Sequence, residues 1–304
     1  TDPALDRARR DQPLFPTPSP LPPGPAPGRL ANRATSFVEE HRVRGYECGP
    51  DRETSICTIA NLLQEVASNH AVALWGRTEA GFATDPIMVE RGLIFAATRI
   101  QVQMDAYPKW GDMIAIETWF QEEGRVAATR NWILRDALSG RALGRATSTW
   151  VMVNTATRRL AKMPDEMRAK MPLLAPNPPR GAVPAACARR KLPDVEGEDV
   201  VEGPVQVARR ADMDMNGHIN NVTYLAWALE TVPQETHDGR RLAEVEIDFK
   251  AECLAGQTIE SLASPTPAPA PSPAGATAFV HELRRCDGDK CYELVRARSV
   301  WVAR

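Results

Sequence analysis

Two segments of the chain share a pattern that constrains the fold more than any other feature. The first segment contains RATSTWVMVN, from Arg145, and the second contains RARSVWVAR, from Arg296. Both stretches alternate polar and apolar residues, as half-buried strands do, and both contain the frame R-A-x-S-x-W-V. Because a repeated pattern marks a repeated structural unit, we expect one unit to occur twice.

Each segment also contains one strong helix signal. The first is TIANLLQEVASNHAVALW from Thr58, and the second is NVTYLAWALETV from Asn221. In the second helix, Asn220 or Asn221 is expected to cap the exposed N–H groups, and Pro233 to end the helix. Its apolar residues fall on one face, and these are Val222, Leu225, Ala226 and Leu229.

After each helix comes a strand pair joined by a related turn. The first turn lies in MDAYPKWGDMIAIETW, from Met104, and the second in FKAECLAGQTIES, from Phe249. Three motifs in the same order favour duplication of one helix-plus-sheet unit over convergent patterning in unrelated α+β domains. The alignment pairs Ala106 with Ala251, Tyr107 with Glu252 and Gly111 with Gly256.

Length and composition describe an ordinary globular protein. A chain of 304 residues is long enough for two domains, each with its own core. The formal net charge of -2 gives no basic excess, so nucleic acid is not the expected partner. No apolar run approaches the roughly 20 residues that a membrane-spanning helix needs, so we expect a soluble protein.

Proline-rich stretches divide the chain. Residues 1–35 are too poor in large apolar residues to offset their ordering entropy, so we expect a disordered leader. The linker is expected at 171–204, between an N-terminal domain at 36–170 and a C-terminal domain at 205–304. Within the second domain, the segment 264–276 is interpreted as a Pro-rich surface insert.

The cysteines and the other motifs indicate no bound cofactor. Six cysteines are scattered without paired metal-ligand spacing, in a chain too large to need disulfide bonds, so we expect them to be reduced. No metal, nucleotide or flavin motif is evident, and we expect neither a metal nor a cofactor.

The segment DMDMNGH carries the densest group of polar residues. It satisfies the first half of a calcium-binding loop, but Thr223 stands where a bidentate glutamate is required, so calcium is not expected. If the segment is extended, Asp214, Asn216 and His218 point to the same side, just before a helix N-terminus. That grouping suits acyl transfer or hydrolysis. The alternative is an Asx turn in which His218 only caps the helix.

The segment ADMDMNGHINNVTYLAWALETVPQE, followed by EIDFKAEC, resembles the plant acyl-acyl carrier protein thioesterases. The resemblance extends from about residue 37 to residue 304 and includes TIANLLQEVASNHAVALW in the first segment. It implies an α+β fold with two hot-dog units in tandem, each an antiparallel sheet wrapped around a long helix. TIANLLQEV, ADMDMN and NNVTYLAW are more similar to the oleoyl-preferring FatA branch than to the saturated-chain FatB branch.

The family's catalytic set falls on four matching positions of this sequence, namely Asp214, Asn216, His218 and Glu252. The resemblance also places Cys253 after Glu252, as in the family's E-C pair. The first segment has Tyr107 where Glu252 stands in the second, so only the second unit is expected to be catalytic. The family usually has glutamine at Gly217 and arginine at Lys250 and Ala251, and these departures put the rigidity and charge of the site in question.

The roles of these residues follow from thioester chemistry. Glu252 would activate water as a general base, or attack directly to give an anhydride, and the sequence leaves both open. Asn216 would orient the water or the carbonyl, His218 would donate to the oxygen or position Glu252, and Asp214 would orient its neighbours. A mechanism with Cys253 as the nucleophile is less favoured, because a free cysteine is more often a small buried apolar residue.

The resemblance implies hydrolysis of long-chain acyl-acyl carrier protein in the plastid stroma, with oleoyl chains preferred and some activity on saturated C14–C18 chains. Two alternatives are a hot-dog hydratase or dehydratase and a non-catalytic acyl-carrier-binding module. The chain starts at Thr1 rather than Met and is interpreted as trimmed, so no transit peptide is expected within it, and a homodimer is left open. The first helix is expected to line the acyl tunnel with Ile59, Leu62, Leu63, Val66 and Ala67.

The carrier protein is acidic, so a basic docking surface is expected on a chain of near-neutral net charge. Each candidate could instead be a solvated surface residue. The candidates are Arg158, Arg159, Lys162, Arg168, Lys170, Arg189, Arg190, Lys191, Arg209 and Arg210.

Overall fold

A computed structural model describes residues 27–77, 84–123, 127–288 and 290–304. The first half of this described part contains β1 (Arg29–Ala31), β2 (Ser36–Arg42), α1 (Ile56–Trp75), α2 (Pro86–Glu90), β3 (Leu93–Met104), β4 (Met113–Glu123), β5 (Ala127–Asp136), β6 (Ala142–Asn154) and α3 (Asp165–Leu174). The second half contains β7 (Val201–Glu202), β8 (Gln206–Val207), α4 (Asn221–Leu229), α5 (Gln234–Gly239), β9 (Arg240–Phe249), β10 (Thr258–Thr266), β11 (Thr277–Asp287) and β12 (Lys290–Ala303).

The strands form one antiparallel sheet. Its order is β1-β2-β4-β5-β6-β3-β9-β12-β11-β10-β7, and β8 pairs with β10 outside this path. The two long amphipathic helices, α1 and α4, contact each other, and their buried residues share one core with residues of the sheet. Each half of the sheet therefore wraps one helix, and the expected α+β fold of tandem hot-dog units is confirmed.

The duplication is visible in matching hydrogen bonds. On β6 the indole of Trp150 donates to Ser148 Oγ at 2.6 Å, and on β12 the indole of Trp301 donates to Ser299 Oγ at 2.9 Å. Gly111 and Gly256 both have φ +90°, a left-handed conformation that favours glycine. The repeated sequence frame and the related turns therefore occupy equivalent places in the two units.

Helix boundaries follow local chemistry. Asn220 Oδ1 accepts the N–H of Val222 at 3.0 Å, so Asn220 is the cap of α4, one of the two residues expected. The helix ends at Leu229, before Pro233. Pro233 occupies the N-cap position of the next helix, α5. Within the described residues, no helix has both the length and the apolar character required to cross a bilayer.

The two halves of the sheet meet where β3 pairs with β9. Ile100 and Val102 of β3 lie opposite Ile247 and Val245 of β9, and three of these four residues are fully or almost fully buried, whereas Ile100 packs on the core partly buried. The intervening positions of both strands are polar. The seam between the units is therefore apolar toward the helices and polar on its other face.

A buried carboxylate organises the polar face of the seam. Glu246 is 0% exposed and accepts from Arg99 at 2.6 Å and from Arg298 at 2.7 Å. Burial raises the pKa of the Glu246 carboxyl above its ordinary value, while the two guanidinium groups oppose that shift. One buried carboxylate thus accepts hydrogen bonds from two guanidinium groups on different strands.

The segment between the units lies along this polar face. The backbone carbonyls of Cys187 and Arg190 accept hydrogen bonds from Gln101 and Arg99 of β3. Earlier in the same segment, the carbonyl of Arg180 accepts a hydrogen bond from the indole of Trp119 at 2.8 Å. Helix α3 extends to Leu174 and β7 begins at Val201, so the segment 175–200 without helices or strands lies within the expected linker at 171–204.

Three sequence-based boundaries or states were wrong. Residues 29–31 of the expected leader form β1, which pairs with residues 36–38, whereas residues 1–26 lie outside the described part. The expected insert at 264–276 begins later, because residues 264–266 belong to β10 and pair with β11. Cys286 and Cys291 form a disulfide bond across β11 and β12, although we expected reduced cysteines.

We expect Glu246→Ala to destabilise the protein by about 3–5 kcal/mol, because it leaves Arg298 buried with only a 3.8 Å contact to Glu244. The matched control is Glu260→Ala, which removes a 2.9 Å ion pair with Arg284 between partly exposed side chains and should cost at most about 1 kcal/mol. Urea unfolding at pH 7 measures both changes. Equal losses in the two variants would contradict the structural role given to Glu246.

Candidate active site

The polar loop before α4 is closed by backbone hydrogen bonds. Met213 and Ile219 form an isolated antiparallel bridge, and Asp214 N–H donates to the carbonyl of His218 at 2.7 Å. Gly217 N–H donates to the carbonyl of Asp214 at 3.0 Å, which closes a tight turn. Local hydrogen bonds therefore fold the segment back on itself, so of the two arrangements left open by the sequence the extended one does not occur.

Asp214 is the acceptor that shapes this turn. Its Oδ1 accepts the backbone N–H of Asn216 at 2.8 Å and that of His218 at 3.3 Å, while its Oδ2 accepts from Asn216 Nδ2 at 3.0 Å. This is the Asx-turn geometry that the sequence left open. Asp214 thus fixes the backbone on both sides of Gly217 and so determines the position from which the His218 side chain extends.

Gly217 suits the turn that it occupies. Its φ is +76°, and a Cβ built there would meet no atom within 4 Å. A larger side chain would therefore find space but would have to adopt a left-handed backbone, which costs roughly 1–2 kcal/mol. Glycine at this position relaxes the turn.

Glu252 lies on the turn that follows β9. Lys250 and Ala251 N–H both donate to the carbonyl of Leu294, and Gly256 N–H donates to Ala208 at 2.7 Å. These bonds attach the turn to β12 and to the strand that precedes the polar loop. The Glu252 side chain is 53% exposed, so it is open to water and to substrate.

The two turns bring His218 and Glu252 together. His218 Nε2 lies 3.8 Å from Glu252 Oε2, slightly beyond hydrogen-bond distance. Catalytic hydrogen bonds are often long before substrate binds, so this spacing is compatible with cooperation between the two groups. Asn216 is exposed and its amide bonds to Asp214, so among the described contacts it touches neither His218 nor Glu252 with its side chain.

The structure does not favour Cys253 as a nucleophile. Cys253 is 2% exposed, its N–H donates to Tyr224 Oη at 3.0 Å, and its sulfur lies 3.3 Å from the same hydroxyl. Burial raises the pKa of the Cys253 thiol above its ordinary value. Since the thiolate is the reactive form, this sulfur is held in its unreactive state.

A small apolar cleft, with a volume of about 40 Å³, lies between α1 and α4. It adjoins the polar site, because Val222 belongs to the first turn of α4 and Phe249 ends the strand that leads to Glu252. Of the five expected tunnel residues, Leu63 lines the cleft, and Ile59, Leu62, Val66 and Ala67 do not. The lining residues are Ala60, Leu63, Gln64, Ala97, Ile100, Trp132, Ser148, Trp150, Asn221, Val222, Leu225, Ile247 and Phe249.

The candidate docking residues have different surroundings. Arg158 contacts Glu252, Arg168 pairs with Asp165 at 3.5 Å, and Lys170 pairs with the buried Asp85 at 3.3 Å. Arg190 is half-buried and donates to the carbonyl of Ala186. The remaining candidates are exposed residues, and these are Arg159, Lys162, Arg189, Lys191, Arg209 and Arg210.

Sequence reasoning missed two contacts of the site. Gln64 of α1 donates to the capping residue Asn220 at 3.1 Å, so the first unit touches the base of the polar loop. Tyr224 fixes Cys253, as described above. The spacing of four between Asn220 and Tyr224 places both on one face of α4, and this was the signal in the sequence for the contact of Tyr224. The sequence contained no signal for the contact of Gln64.

We expect Asp214→Ala to lower turnover at least tenfold, because the loop would lose an acceptor that holds His218 in place, and a displaced catalytic group is costly. The loop is exposed, so the melting temperature should change little. Steady-state kinetics and thermal unfolding measure the two effects. The control is Asp212→Ala, which removes a 2.7 Å bond to Arg209 N–H outside the turn. Retained turnover in Asp214→Ala would contradict the role given to Asp214.

The site can be compared with known proteins. Residues 34–171 match the acyl-ACP thioesterase N-terminal domain, and residues 200–302 match the acyl-ACP thioesterase C-terminal domain. The solved structure of the 12:0-ACP thioesterase from Umbellularia californica matches with a TM-score of 0.77 and 30% identity, covering 90% of this chain and 95% of that chain.

Two curated relatives come from Arabidopsis thaliana. The oleoyl-acyl carrier protein thioesterase 1, chloroplastic, is 39% identical over 285 residues, covering 90% of this chain and 78% of its own length. The palmitoyl-acyl carrier protein thioesterase, chloroplastic, is 36% identical over 282 residues, covering 91% and 66%. Both domain matches and these relatives agree, and the chain belongs to the acyl-ACP thioesterase family.

Proposed function

We propose that this chain hydrolyses the thioester of long-chain acyl-acyl carrier protein and releases the free fatty acid. The observation that carries the proposal is the 3.8 Å approach of His218 to Glu252 beside the apolar cleft. His218 and Glu252 each lie three residues along the chain from a residue that lines the cleft, Asn221 and Phe249, and a polar pair close to an apolar cleft suits a substrate with a reactive thioester and a hydrocarbon tail.

The chemistry divides between the two turns. Glu252, exposed and ionisable, activates a water molecule or attacks the thioester carbonyl itself. His218, at 3.8 Å, donates to the developing oxyanion or holds Glu252 in place, and Asp214 sets the turn from which His218 extends. Asn216, whose exposed amide bonds to Asp214, would orient the water or the carbonyl. The leaving thiolate is a weak base, so its protonation makes little demand on the site.

The finer properties rest on the relatives. The oleoyl-acyl carrier protein thioesterase is 39% identical and the palmitoyl-acyl carrier protein thioesterase is 36% identical, and this small difference supports our proposal that oleoyl chains are preferred with some activity on saturated chains. Both relatives are named chloroplastic, which supports a plastid location. The acidic carrier would contact exposed basic residues that precede the polar loop, such as Arg209 and Arg210.

Release of free thiol from acyl-acyl carrier protein tests the reaction. A hydratase would form or consume a double bond without releasing thiol, and a binding module would neither release thiol nor change a double bond.

Glu252→Gln should lower kcat by about a thousandfold or more, as loss of the base or nucleophile does. Cys253→Ala should keep substantial activity, because its sulfur is buried. Loss of activity in Cys253→Ala as deep as in Glu252→Gln, with the fold intact, would restore the cysteine mechanism.

Chain-length preference tests the cleft. Ala60→Val adds volume to the cleft wall, so we expect preference to move toward shorter acyl chains by about fivefold or more in relative kcat/KM, because one methylene in an apolar pocket is worth roughly 1–3 kcal/mol. Ala67→Val makes the same change on the same helix outside the cleft and serves as the control. A panel of acyl-carrier thioesters of graded length measures both. The same shift in both variants, or none in Ala60→Val, would contradict this assignment.

A further inference from the structure

A side chain from the first unit reaches the carboxylate proposed for catalysis in the second. Arg158 Nη2 donates to Glu252 Oε2 at 3.0 Å, across 94 positions of sequence. The same Oε2 faces His218 Nε2 at 3.8 Å. Glu252 therefore lies between a guanidinium of the first unit and an imidazole of the second.

Sheet order explains how the two residues meet. β6 and β9 are both antiparallel neighbours of β3, so they run in the same direction. The turns that follow them therefore emerge at the same edge of the sheet. Arg158 lies on the turn after β6, and Glu252 on the turn after β9. The contact thus depends on the joining of the two units.

The turn that carries Arg158 is well defined. Asn154 Oδ1 accepts from Thr157 N–H at 2.9 Å and from Thr157 Oγ1 at 3.1 Å, and Arg158 N–H donates to the carbonyl of Asn154 at 2.8 Å. Arg158 has φ +57°, a left-handed backbone that glycine or asparagine adopts more easily. An arginine therefore occupies this position against the local backbone preference.

The ion pair contributes little to stability. Both side chains are 53% exposed, and an exposed pair is worth at most about 1 kcal/mol. Its effect is geometric, because the charge-assisted hydrogen bond from Arg158 Nη2 to Glu252 Oε2 restricts the direction and the distance of that carboxylate. A carboxylate that acts on water or on a thioester must be held within about 0.5 Å of its productive position.

We propose that Arg158 is a positioning residue, which orients Glu252 for the reaction from the first unit. This inference rests on the proposed function of Glu252. It replaces, for this one residue, the expected role in docking the carrier protein. The two roles differ kinetically, since loss of a docking contact raises KM, while loss of orientation lowers kcat.

Arg158→Gln and Arg52→Gln form a matched pair, because both residues are exposed arginines outside helices and strands with a left-handed backbone, φ +57° and +64°, and only Arg158 contacts Glu252. We expect Arg158→Gln to lower kcat about tenfold to a hundredfold, as loss of one charge-assisted hydrogen bond in the transition state does, with KM within about twofold. Arg52→Gln should leave kcat unchanged. Both variants should keep the wild-type melting temperature.

Rescue separates orientation from a structural effect. Arg158→Lys should recover part of the kcat lost in Arg158→Gln, because it keeps the charge but not the planar fork. Arg158→Gly relaxes the left-handed backbone and removes the guanidinium, and added methylguanidine should restore part of its kcat. No rescue by either route would overturn the proposal.

A double-mutant cycle tests whether Arg158 acts through Glu252. In the Glu252→Gln background, Arg158→Gln should cause less than about a twofold further loss of kcat, because coupled residues are not additive. An equal fold loss in both backgrounds would overturn the proposal, as would wild-type kcat with raised KM in Arg158→Gln. Wild-type kcat in Glu252→Gln would instead overturn the proposed function and this inference together.

Discussion

The pairing of β3 with β9 is the interaction on which the rest of the structure depends. It joins two sheets of similar construction into one, so that α1 and α4 share a core and enclose the apolar cleft. It also sets two turns from different units at one edge of the sheet. Without this pairing, the polar loop would lie beside an open sheet edge, and Glu252 would have no neighbour from the first unit.

The seam combines two kinds of stabilisation on its two faces. Toward the helices, Val102, Val245 and Ile247 exclude water, and burial of such side chains contributes roughly 1.5–3 kcal/mol each. On the outer face, Glu246 with Arg99 and Arg298 fixes the register, because a shift of one residue would bury a charge without a partner. The connecting segment adds backbone carbonyls to the same group. Apolar contacts thus drive association of the units, and the buried charges specify how they align.

The sequence contained much of this fold but less of the site. The R-A-x-S-x-W-V frame, the cap at Asn220 and the paired glycines are local signals, and the structure bears out each of them. The conformation of the polar loop was not predictable from alternation, because Asp214 can bond to the backbone either in a turn or elsewhere. The disulfide of Cys286 and Cys291 depends on strand register, which spacing alone does not give.

The contact between Arg158 and Glu252 was beyond sequence reasoning for a different reason. A basic residue in an exposed turn resembles any other surface cation, and its partner is identified only when the order of strands is known. The cleft presented the same difficulty. Apolar residues on one face of α1 predicted burial, but only Leu63 among the five expected residues lines the space, since the others pack into the core or onto its edge.

Equivalent turns in the two units now serve different purposes. Position 252 presents an exposed carboxylate, whereas at the equivalent position the hydroxyl of Tyr107 donates to the carbonyl of Leu242 and strengthens the contact with β9. In a symmetric pair of identical subunits, any substitution appears at both positions at once. Here the two copies are encoded separately within one chain, so a change that improves packing in one copy leaves the exposed carboxylate of the other intact. Covalent fusion thereby frees the two halves to evolve under separate selection.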